Sequence, residues 1–373
     1  MSMKSLFTPI LAALCLGSCA SRQASNNVGE LTLLVGTYTS GNSTGIYSFR
    51  FNEETGHSLL LDSAILPNPS YLTVSADAKR VYAVNEMNDS TASLSTLDFN
   101  AATGSLQLLN RQLTYGADPC YVATNGRLVL TANYSGGNLS AFPLNDDGIA
   151  EPLSGLFPGK ATGPDSVRQS TPHVHCAAFT PDSLYVFATD FSADRLIRFD
   201  LFTDSITPSS DSTSVQLTPG TGPRHLIFAP DGQHAYVIGE LSGQITAFDY
   251  HKGKLIPIQT LAADTTGARG SADIRISPDG RFLYASNRLK NDGLAIFAIH
   301  PENGTLTPVG YQTTGIHPRN FNLTPNGKYL LVACRDSHII QVYKRDIQTG
   351  LLTDTNQDIQ TDQPVCIQFV NKP

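Results

Sequence analysis

The sequence predicts an all-β fold, a seven-bladed β-propeller with four antiparallel strands in each blade. A unit of four short apolar strands recurs about every 50 residues, as propeller blades do. Six complete units lie between Asn68 and Thr353, and the two ends of the chain supply the strands of a seventh. A β-sandwich is the alternative, but that architecture does not predict six matching units. We therefore expect a closed ring of seven sheets.

Every unit opens with a hairpin of two apolar strands, most clearly between Gly222 and Leu241. The turn of this hairpin is Pro230-Asp231-Gly232, and these residue types favour a chain reversal. Equivalent turns are found at Ala76-Asp77, Asn125-Gly126 (a degenerate copy), Pro181-Asp182, Pro278-Asp279 and Pro325-Asn326. An alternating third strand and a fourth strand complete each unit, as expected of one propeller blade.

The seventh blade combines both ends of the predicted domain. The stretches 33–38, 45–49 and 59–61 are typical of its second, third and fourth strands, and 364–369 supplies the innermost strand. A blade shared by both ends closes the ring and removes the free sheet edges. The chain contains no tryptophan, which excludes WD-repeat propellers.

The first residues are typical of a targeting segment. Lys4 precedes the mostly apolar stretch 6–16, which is too short to span a bilayer. Residues 16–19 (LGSC) resemble the bacterial lipobox, in which the cysteine is lipidated. We therefore expect a lipoprotein signal peptide at 1–18, lipidation of Cys19, a flexible tether at 19–30 and one domain at 31–373. The alternative is an ordinary cleaved signal peptide with a chance cysteine.

Composition narrows the classes of partner. The chain has 373 residues, 40% of them apolar, and its net charge of −7 argues against nucleic acid. The domain's cysteines are widely spaced without a C-x-x-C pair, so we expect buried apolar side chains rather than zinc ligands or a dense disulfide framework. These cysteines are Cys120, Cys176, Cys334 and Cys366. The predicted anchor is the only expected membrane contact, and it places the protein in a bacterial cell envelope, on the periplasmic side or at the outer membrane.

Ring geometry brings two rows of residues to the same face. The first strand of a hairpin starts beside the end of the second, so both positions lie opposite the turn. First strands start at Ser70, Cys120, His175, Arg224, Ala272, Arg319 and Val365. Second strands end at Thr37, Glu86, Tyr134, Phe191, Glu240, Arg288 and Arg335. Both rows are expected to surround the mouth of the central channel.

The charged residues of these rows also have structural interpretations. Arg224 or Arg319 could pair with a carboxylate between blades. His175 could be a hydrogen-bonded structural histidine, and Glu86 could cap a loop. Convergence of a histidine, a glutamate and two arginines on one concavity favours a functional cluster instead. Strand register decides whether His173 or His175 points inward. Counting residues back from the Pro181-Asp182 turn places His175 level with Arg224, which favours His175.

Several short motifs resemble those of the lactonase family of seven-bladed propellers. In chain order they are 35–39 (VGTYT), 168–169 (RQ), 173–175 (HVH), 222–225 (GPRH), 240–241 (EL), 286–288 (SNR) and 318–319 (PR). The family includes propeller-type bacterial 6-phosphogluconolactonases and a fungal carboxymuconate lactonizing enzyme. The resemblance covers nearly all of residues 31–370. It implies an active site without metal or cofactor at His175, Arg224, Glu240 and Arg288. Substrate contacts are then expected from His173, Arg319, Glu86, Tyr134 and Arg168.

These residue types suit the opening of a lactone. Water must be deprotonated as it attacks the ester carbonyl, and the departing alkoxide must be assisted. Our sequence-based hypothesis is that His175 is the base, that Glu240 orients it, and that Arg224 and Arg288 stabilise the oxyanion and hold an anionic group. The chain has no G-x-S-x-G nucleophile elbow, because its matching stretch, 41–45 (GNSTG), lies between two predicted strands and not between a strand and a helix. This favours direct attack by water.

The expected substrate is a sugar-acid lactone. A protein anchored outside the inner membrane would rarely meet phosphorylated sugars, so an unphosphorylated aldonolactone is as plausible as a 6-phosphogluconolactone. Two alternatives remain open. One is a tethered propeller that binds an acidic glycan or a protein partner without catalysis. The other is cycloisomerase chemistry on an unsaturated diacid, which would use the same residues.

Overall fold

The computed structural model describes residues 29–370, which form seven antiparallel sheets. The innermost strands of neighbouring sheets contact one another in a closed cycle, so the sheets are the blades of a ring. Each blade has four main strands, and two blades add a short fifth strand. Six blades are built from consecutive strands, and the other takes its innermost strand from the C-terminal end of the described chain. The predicted seven-bladed propeller is therefore confirmed.

The first three blades contain the first eleven strands of the chain, and the fourth strand of blade 1 comes from the C-terminal end of the described residues. Blade 1 begins with β1 (Glu30–Thr37), β2 (Gly45–Asn52) and β3 (Ser58–Ile65). Blade 2 consists of β4 (Leu72–Val74), β5 (Arg80–Asn85), β6 (Ser93–Asn100) and β7 (Ser105–Leu113). Blade 3 consists of β8 (Pro119–Thr124), β9 (Leu128–Asn133), β10 (Asn138–Pro143) and β11 (Gly155–Pro158).

The next two blades follow the same order. Blade 4 consists of β12 (Val174–Phe179), β13 (Tyr185–Asp190), β14 (Arg195–Leu201), β15 (Ile206–Pro208) and β16 (Val215–Gln216). Blade 5 consists of β17 (Pro223–Phe228), β18 (His234–Gly239), β19 (Gln244–His251) and β20 (Lys254–Ala262).

The last two blades lead back to the first. Blade 6 consists of β21 (Ile274–Ile276), β22 (Phe282–Asn287), β23 (Gly293–Ile299) and β24 (Leu306–Thr313). Blade 7 consists of β25 (Pro318–Leu323), β26 (Tyr329–Cys334), β27 (Ile339–Arg345), β28 (Leu352–Asp354) and β29 (Ile359–Gln360). Strand β30 (Pro364–Val370) then completes blade 1. Short 3₁₀ helices span Phe191–Ala193, Asp211–Thr213 and Arg335–Ser337.

Both ends of the described chain meet in blade 1. Strand β1 pairs with β2 on one side and with β30 on the other, with Leu33 opposite Phe369. This confirms that the innermost strand of the blade comes from the C-terminal end. The predicted signal peptide at 1–18, Cys19 and residues 19–28 of the predicted tether lie outside the described residues. Within residues 29–370, no helix is long and apolar enough to cross a membrane.

Burial follows the position of a strand within its blade. Every residue of β9, β18, β22 and β26 is buried, because second strands have neighbouring blades on both faces. The outermost strand β7 instead alternates between exposed and half-buried side chains. The four cysteines of the described chain are unpaired and buried, as predicted.

A β-bulge interrupts the first hairpin of several blades at its channel-mouth end. The register between first and second strands shifts around Cys120, His175, Arg224 and Arg319. A bulge leaves one residue unpaired and turns its side chain away from the regular alternation. These bulges therefore re-aim the side chains of the first row at the channel mouth.

Candidate functional site

A cavity of about 380 Å³ opens at the channel mouth, at the strand ends opposite the turns. Blades 2 to 7 contribute its lining: Glu86, Asp118, Cys120, Tyr134, Arg168, His175, Glu240, Arg288, Leu289, His317, Arg319 and Arg335. Many of these residues belong to the two rows derived from the sequence. Ionisable side chains thus converge from most of the ring on one concavity.

Glu240 is the centre of the charge arrangement. Its Oε1 accepts a hydrogen bond of 2.5 Å from Arg168 Nη2. Its Oε2 lies 2.9 Å from Arg224 Nε and 3.2 Å from Arg288 Nη2. Burial alone would raise the pKa of Glu240, but the guanidinium groups of Arg288, Arg224 and Arg168 lower this pKa to about 2. Glu240 is therefore a carboxylate at any physiological pH, and a weak base.

The arginines around Glu240 differ in their access to the cavity. Arg288 and Arg168 line the cavity, whereas Arg224 is buried against Glu240, His225 and the Ala272 carbonyl. The bulge in β17 directs Arg224 to the inner side of Glu240, which explains its absence from the lining. The sequence-based assignment of Arg224 to direct substrate contact is therefore corrected.

Arg288 keeps its charge in this setting. Burial lowers its pKa to about 9, and the neighbouring Glu240 carboxylate opposes that shift. Its Nε donates to the Gly270 carbonyl at 2.7 Å, which fixes the plane of the guanidinium. At neutral pH the Arg288 guanidinium is therefore a positively charged group of fixed orientation on the cavity wall.

His175 lines the cavity and is 4% exposed. Its Nδ1 is buried and has no hydrogen-bond partner within residues 29–370. Burial, together with the charges of Arg224 and His225, lowers the pKa of His175 well below its ordinary value. The imidazole is therefore neutral at neutral pH and holds a lone pair that can accept a proton.

One part of the sequence-based hypothesis is wrong. Within the described chain, no hydrogen bond joins Glu240 to His175, because both Glu240 oxygens are occupied by guanidinium groups. The ring of His175 instead packs edge-on against Tyr134, with centroids 5.7 Å apart. Glu240 therefore orients arginines, and the packing around His175 orients the imidazole.

His173 lies outside the cavity lining. Its ring stacks on Tyr134 at a centroid distance of 4.1 Å, and its Nδ1 is 2.7 Å from the Tyr134 carbonyl. The bulge in β12 falls at His175, which sends that side chain to the cavity. In the structure His175 lines the cavity, whereas His173 packs behind Tyr134.

Arg168 reaches the cavity from the loop between blades 3 and 4. Besides Glu240, its Nη2 donates to the Tyr134 hydroxyl at 3.3 Å. The same loop contains Asp165, which forms an ion pair with Arg269 of the loop between blades 5 and 6. Two loops from different blade junctions therefore hold Arg168 over the channel mouth.

Glu86 and Arg319 also line the cavity, and Tyr38 contacts both of them. Glu86 Oε1 accepts a 2.8 Å hydrogen bond from the Tyr38 hydroxyl and lies 3.7 Å from Arg319 Nη2. The Arg319 guanidinium also sits 5.5 Å from the centre of the Tyr38 ring. Glu86 Oε2 is buried and has no partner within residues 29–370. This oxygen is a vacant acceptor beside the cavity.

Sequence reasoning missed three lining residues, Asp118, Leu289 and His317. All three have positive φ, at 50°, 83° and 62° respectively. Asp118 and His317 each precede the proline that begins a first strand, and Leu289 follows Arg288 at the end of a second strand. Only their adjacency to the two predicted rows could have indicated them. Their left-handed backbone was not predictable from residue type, since Leu rarely adopts it.

A larger cavity of about 1030 Å³ lies on the turn-bearing face between blades 5, 6 and 7. Its charged residues serve the turns: Asp279, for example, pairs with Arg345 at 2.8 Å and accepts from Ser277. No group of three or more metal-ligating side chains is arranged around an ion site in the described ranges. The smaller cavity is therefore the better candidate, since no turn requires its buried charges.

The comparisons agree with this fold. The family model described as "Lactonase, 7-bladed beta-propeller" matches residues 32–369. A 6-phosphogluconolactonase of Bacillus subtilis is 35% identical over 350 residues, which cover 91% of this chain and 98% of that protein. A 6-phosphogluconolactonase of Formosa agariphila is 34% identical over 350 residues, with 90% and 99% covered.

Solved structures give the same result. A Bacteroides uniformis protein, a candidate 6-phosphogluconolactonase, is 64% identical with a TM-score of 0.90, covering 92% of this chain and all 100% of its own. The periplasmic gluconolactonase of Pseudomonas aeruginosa is 33% identical with a TM-score of 0.87, with 92% and 100% covered. These four relatives are thus named as lactone hydrolases.

Proposed function

This chain belongs to the lactonase family of seven-bladed β-propellers, and we propose that it hydrolyses the lactone of a sugar acid at the channel-mouth cavity. The observation that carries the proposal is the pairing of a neutral buried imidazole, His175, with a fixed cation, Arg288, in one small cavity. A base and an oxyanion-stabilising cation are what water attack on an ester carbonyl requires. A cup that only binds anions would need the arginines but no buried neutral histidine.

In the proposed reaction, His175 removes a proton from water as its oxygen bonds to the lactone carbonyl carbon. The negative charge that develops on the carbonyl oxygen is stabilised by Arg288, with Arg168 as the second cation on the same wall. The ring C–O bond then breaks, and the alkoxide takes the proton from His175. The product is an open-chain hydroxy acid, and no group remains on the protein.

Glu240 acts in this scheme through the arginines. It is saturated by Arg168, Arg224 and Arg288, so its role is to hold these guanidinium groups in one arrangement before substrate arrives. Such preorganisation lowers the cost of stabilising the oxyanion, because the charges do not need to move during the reaction.

The substrate that we propose is an unphosphorylated aldonolactone. Arg168, Arg224 and Arg288 share Glu240, Arg319 faces Glu86, and Arg335 is paired with Asp336. These arginines outnumber the carboxylates, and the excess positive charge suits the developing oxyanion and the carboxylate of the product. The similarity to a periplasmic gluconolactonase and the predicted envelope location support an aldonolactone as the substrate.

Titration of released acid tests the function. Glucono-1,5-lactone and its 6-phosphate are incubated with protein in a pH-stat, with spontaneous hydrolysis subtracted. We expect turnover of both or of the unphosphorylated lactone, with kcat/KM higher for the latter. Saturable binding of an acidic glycan without product would instead identify a binding protein, and isomerisation of an unsaturated diacid would identify a cycloisomerase.

Two substitutions test the assignment of roles. H175A removes the base and is expected to abolish turnover while the folded protein remains, because the ring is only packed and has no partner at Nδ1. E240Q is expected to lower both turnover and melting temperature, since it leaves buried guanidinium groups without their counter-ion. Full activity in H175A contradicts the mechanism.

We also propose that Cys19, which lies outside the described residues, carries a lipid that anchors the protein in the cell envelope. The support is the LGSC sequence after a short apolar stretch. In cells grown with radiolabelled palmitate, the wild-type protein should be labelled and the C19S variant should not. A labelled C19S variant or an unlabelled wild type would overturn the anchor.

A further inference from the structure

The two arginines that contact Glu240 Oε2 are each held by a histidine. Arg224 Nη1 lies 3.2 Å from His225 Nε2, and Arg288 Nη1 lies 3.3 Å from His317 Nε2. Neither histidine was assigned a role from the sequence. The same arrangement thus occurs twice, in different blades, around one carboxylate.

Each histidine faces an aspartate with its other ring nitrogen. His225 Nδ1 is hydrogen-bonded to Asp273 Oδ1 at 2.8 Å, whereas His317 Nδ1 lies 3.4 Å from Asp336 Oδ2, within ion-pair distance but without hydrogen-bond geometry. We call Asp273, His225 and Arg224 the inner relay, and Asp336, His317 and Arg288 the outer relay. A guanidinium can only donate, so each neutral ring must accept at Nε2 and carry its proton on Nδ1. In His225 the hydrogen bond to the Asp273 carboxylate selects the same tautomer. That tautomer leaves the Nε2 lone pair free to accept from the guanidinium.

From this repeated geometry we propose that His225 and His317 are positioning residues, whose Nε2 lone pairs fix Arg224 and Arg288 on Glu240 for lactone hydrolysis. The proposal rests on the proposed function for its catalytic consequence. Both imidazoles must be neutral for this role. Burial and the adjacent arginine lower the pKa of His225 to about 4 and that of His317 to about 3.

The inner relay is anchored in the floor of the site. The second oxygen of Asp273 accepts from Arg275 Nε at 3.1 Å and from Asn320 Nδ2 at 2.6 Å. Asp273, His225 and Arg224 are all buried. The carboxylate therefore connects blades 5, 6 and 7, and it cannot rotate away from His225 without losing these bonds.

The outer relay is anchored at the rim of the cavity. Asp336 is paired with Arg335, whose Nε and Nη2 donate at 2.6 and 2.9 Å. His317 has a φ of +62° before Pro318, a conformation that a non-glycine residue rarely adopts. This strained backbone places the ring beside Arg288, where its lone pair can accept.

Each of the two guanidinium groups also donates to a backbone carbonyl. Arg224 Nη1 donates to the Ala272 carbonyl at 2.7 Å, and Arg288 Nε donates to the Gly270 carbonyl at 2.7 Å. With one backbone carbonyl and one imidazole each, the arginines have little freedom besides the contact with Glu240. The relays thus explain how two buried cations stay close together without moving apart.

Glutamine and asparagine variants separate this role from a purely structural one. A glutamine amide reaches the position of the histidine Nε2 and can still accept from arginine, whereas an asparagine amide reaches only the position of Nδ1. The set is H225Q, H225N, H317Q and H317N. The matched control is H234N, because His234 is a buried histidine bonded to Asp231 at 2.7 Å on the turn-bearing face.

Initial rates with gluconolactone and melting temperatures are measured for all five variants. We expect both asparagine variants to lower kcat by on the order of tenfold to hundredfold with a smaller change in KM, as small misplacements of catalytic groups do. The glutamine variants should retain several-fold more kcat than the asparagine variants. H234N should lose stability and keep kcat. Equal losses in the glutamine and asparagine variants, or the reverse order, would overturn the proposal.

Nitrogen-15 NMR of histidine-labelled wild-type protein gives a readout that does not depend on turnover. We expect the resonances lost in H225Q and in H317Q to show protonated Nδ1 and unprotonated Nε2 at pH 7. Protonated Nε2 in either ring contradicts the relay. An inactive wild type with the expected tautomers would refute the proposed function alone, which keeps the two failures distinguishable.

Discussion

At the scale of single residues, the site combines buried polar atoms that have hydrogen-bond or ion-pair partners with buried polar atoms that have none. Every oxygen of Glu240 and Asp273 contacts a cationic group or a hydrogen-bond donor, and the nearby cations, which oppose the effect of burial, lower the pKa of each to about 2. Glu86 Oε2 and His175 Nδ1 have no partner within the described part of the chain. Buried polar atoms without partners are costly, so they are expected where a substrate or a water molecule completes the bonding.

Replacement of Glu86 by glutamine tests the vacant oxygen. We expect E86Q to raise KM for gluconolactone by about tenfold with little change in kcat, because a charge-assisted hydrogen bond from a substrate hydroxyl would be lost. Steady-state kinetics measure both constants. Y38F, which removes only the donor to Oε1, is the matched control and should raise KM less. An unchanged KM in E86Q means that this oxygen does not contact substrate.

The pH dependence of the rate follows from His175. Its pKa is held well below 6.5 by burial and by neighbouring cations, so the base remains unprotonated as pH falls through 6.5. We expect kcat/KM to stay level from pH 7.5 to 6.5 and to fall only at lower pH, as the imidazole gains a proton. A rate that halves near pH 6.5 or above would contradict a buried neutral base.

At the scale of elements, hairpin bulges and tyrosine contacts define the blade. The bulges direct the side chains of the first row to the channel mouth. Tyrosines of second strands connect adjacent blades at the opposite end of the hairpins. Tyr82, Tyr236 and Tyr284 each donate to a glycine carbonyl of the following blade, at 2.7, 2.8 and 2.7 Å. The acceptor glycines have positive φ, so each turn is one that glycine adopts without strain.

Removal of one such hydroxyl should affect stability and not activity. Y236F is expected to lower the free energy of unfolding by about 1 kcal/mol, since one buried hydrogen bond is lost and the Gly304 carbonyl is left without its donor. Urea denaturation measures the change, and lactone hydrolysis should be unaffected. A loss of kcat in Y236F would mean that contacts between blades control the distant site.

At the scale of the whole molecule, acid sensitivity follows from buried neutral histidines. The pKa of His225 is about 4 in the folded protein and about 6.5 when the chain is unfolded, so the unfolded state binds more protons between these values. Stability is therefore complete above pH 6.5 and is lost as pH falls towards 4. This shift corresponds to on the order of 3 kcal/mol.

Urea unfolding at several pH values tests this linkage. We expect the free energy of unfolding to decline between pH 6.5 and 4, with a smaller decline in H225Q, which cannot be protonated there. His317, whose pKa is about 3, contributes in the same direction. Equal stability at pH 7 and pH 4.5 would contradict neutral burial of these rings.

The repeating architecture was predictable because turn triplets and apolar strands recur at regular spacing, and because residues 364–369 supplied the missing strand of blade 1. The two rows were predictable from hairpin geometry, and they contain His175, Glu240 and Arg288. No residue type identifies the positions of the bulges, so the choice of His175 over His173 depended on counting residues back from the turn of the hairpin. The relays join side chains from different blades, such as Asp273 with His225, and one sequence gives no measure of those distances.

A crystal structure of the protein soaked with gluconate, the expected product, would test the central claim most directly. We predict the carboxylate of the acid in the channel-mouth cavity, within hydrogen-bond distance of Arg288 and beside the His175 ring, with a hydroxyl near Glu86 Oε2. Gluconate bound only in the cavity of the turn-bearing face, or anywhere away from Arg288 and His175, would contradict it.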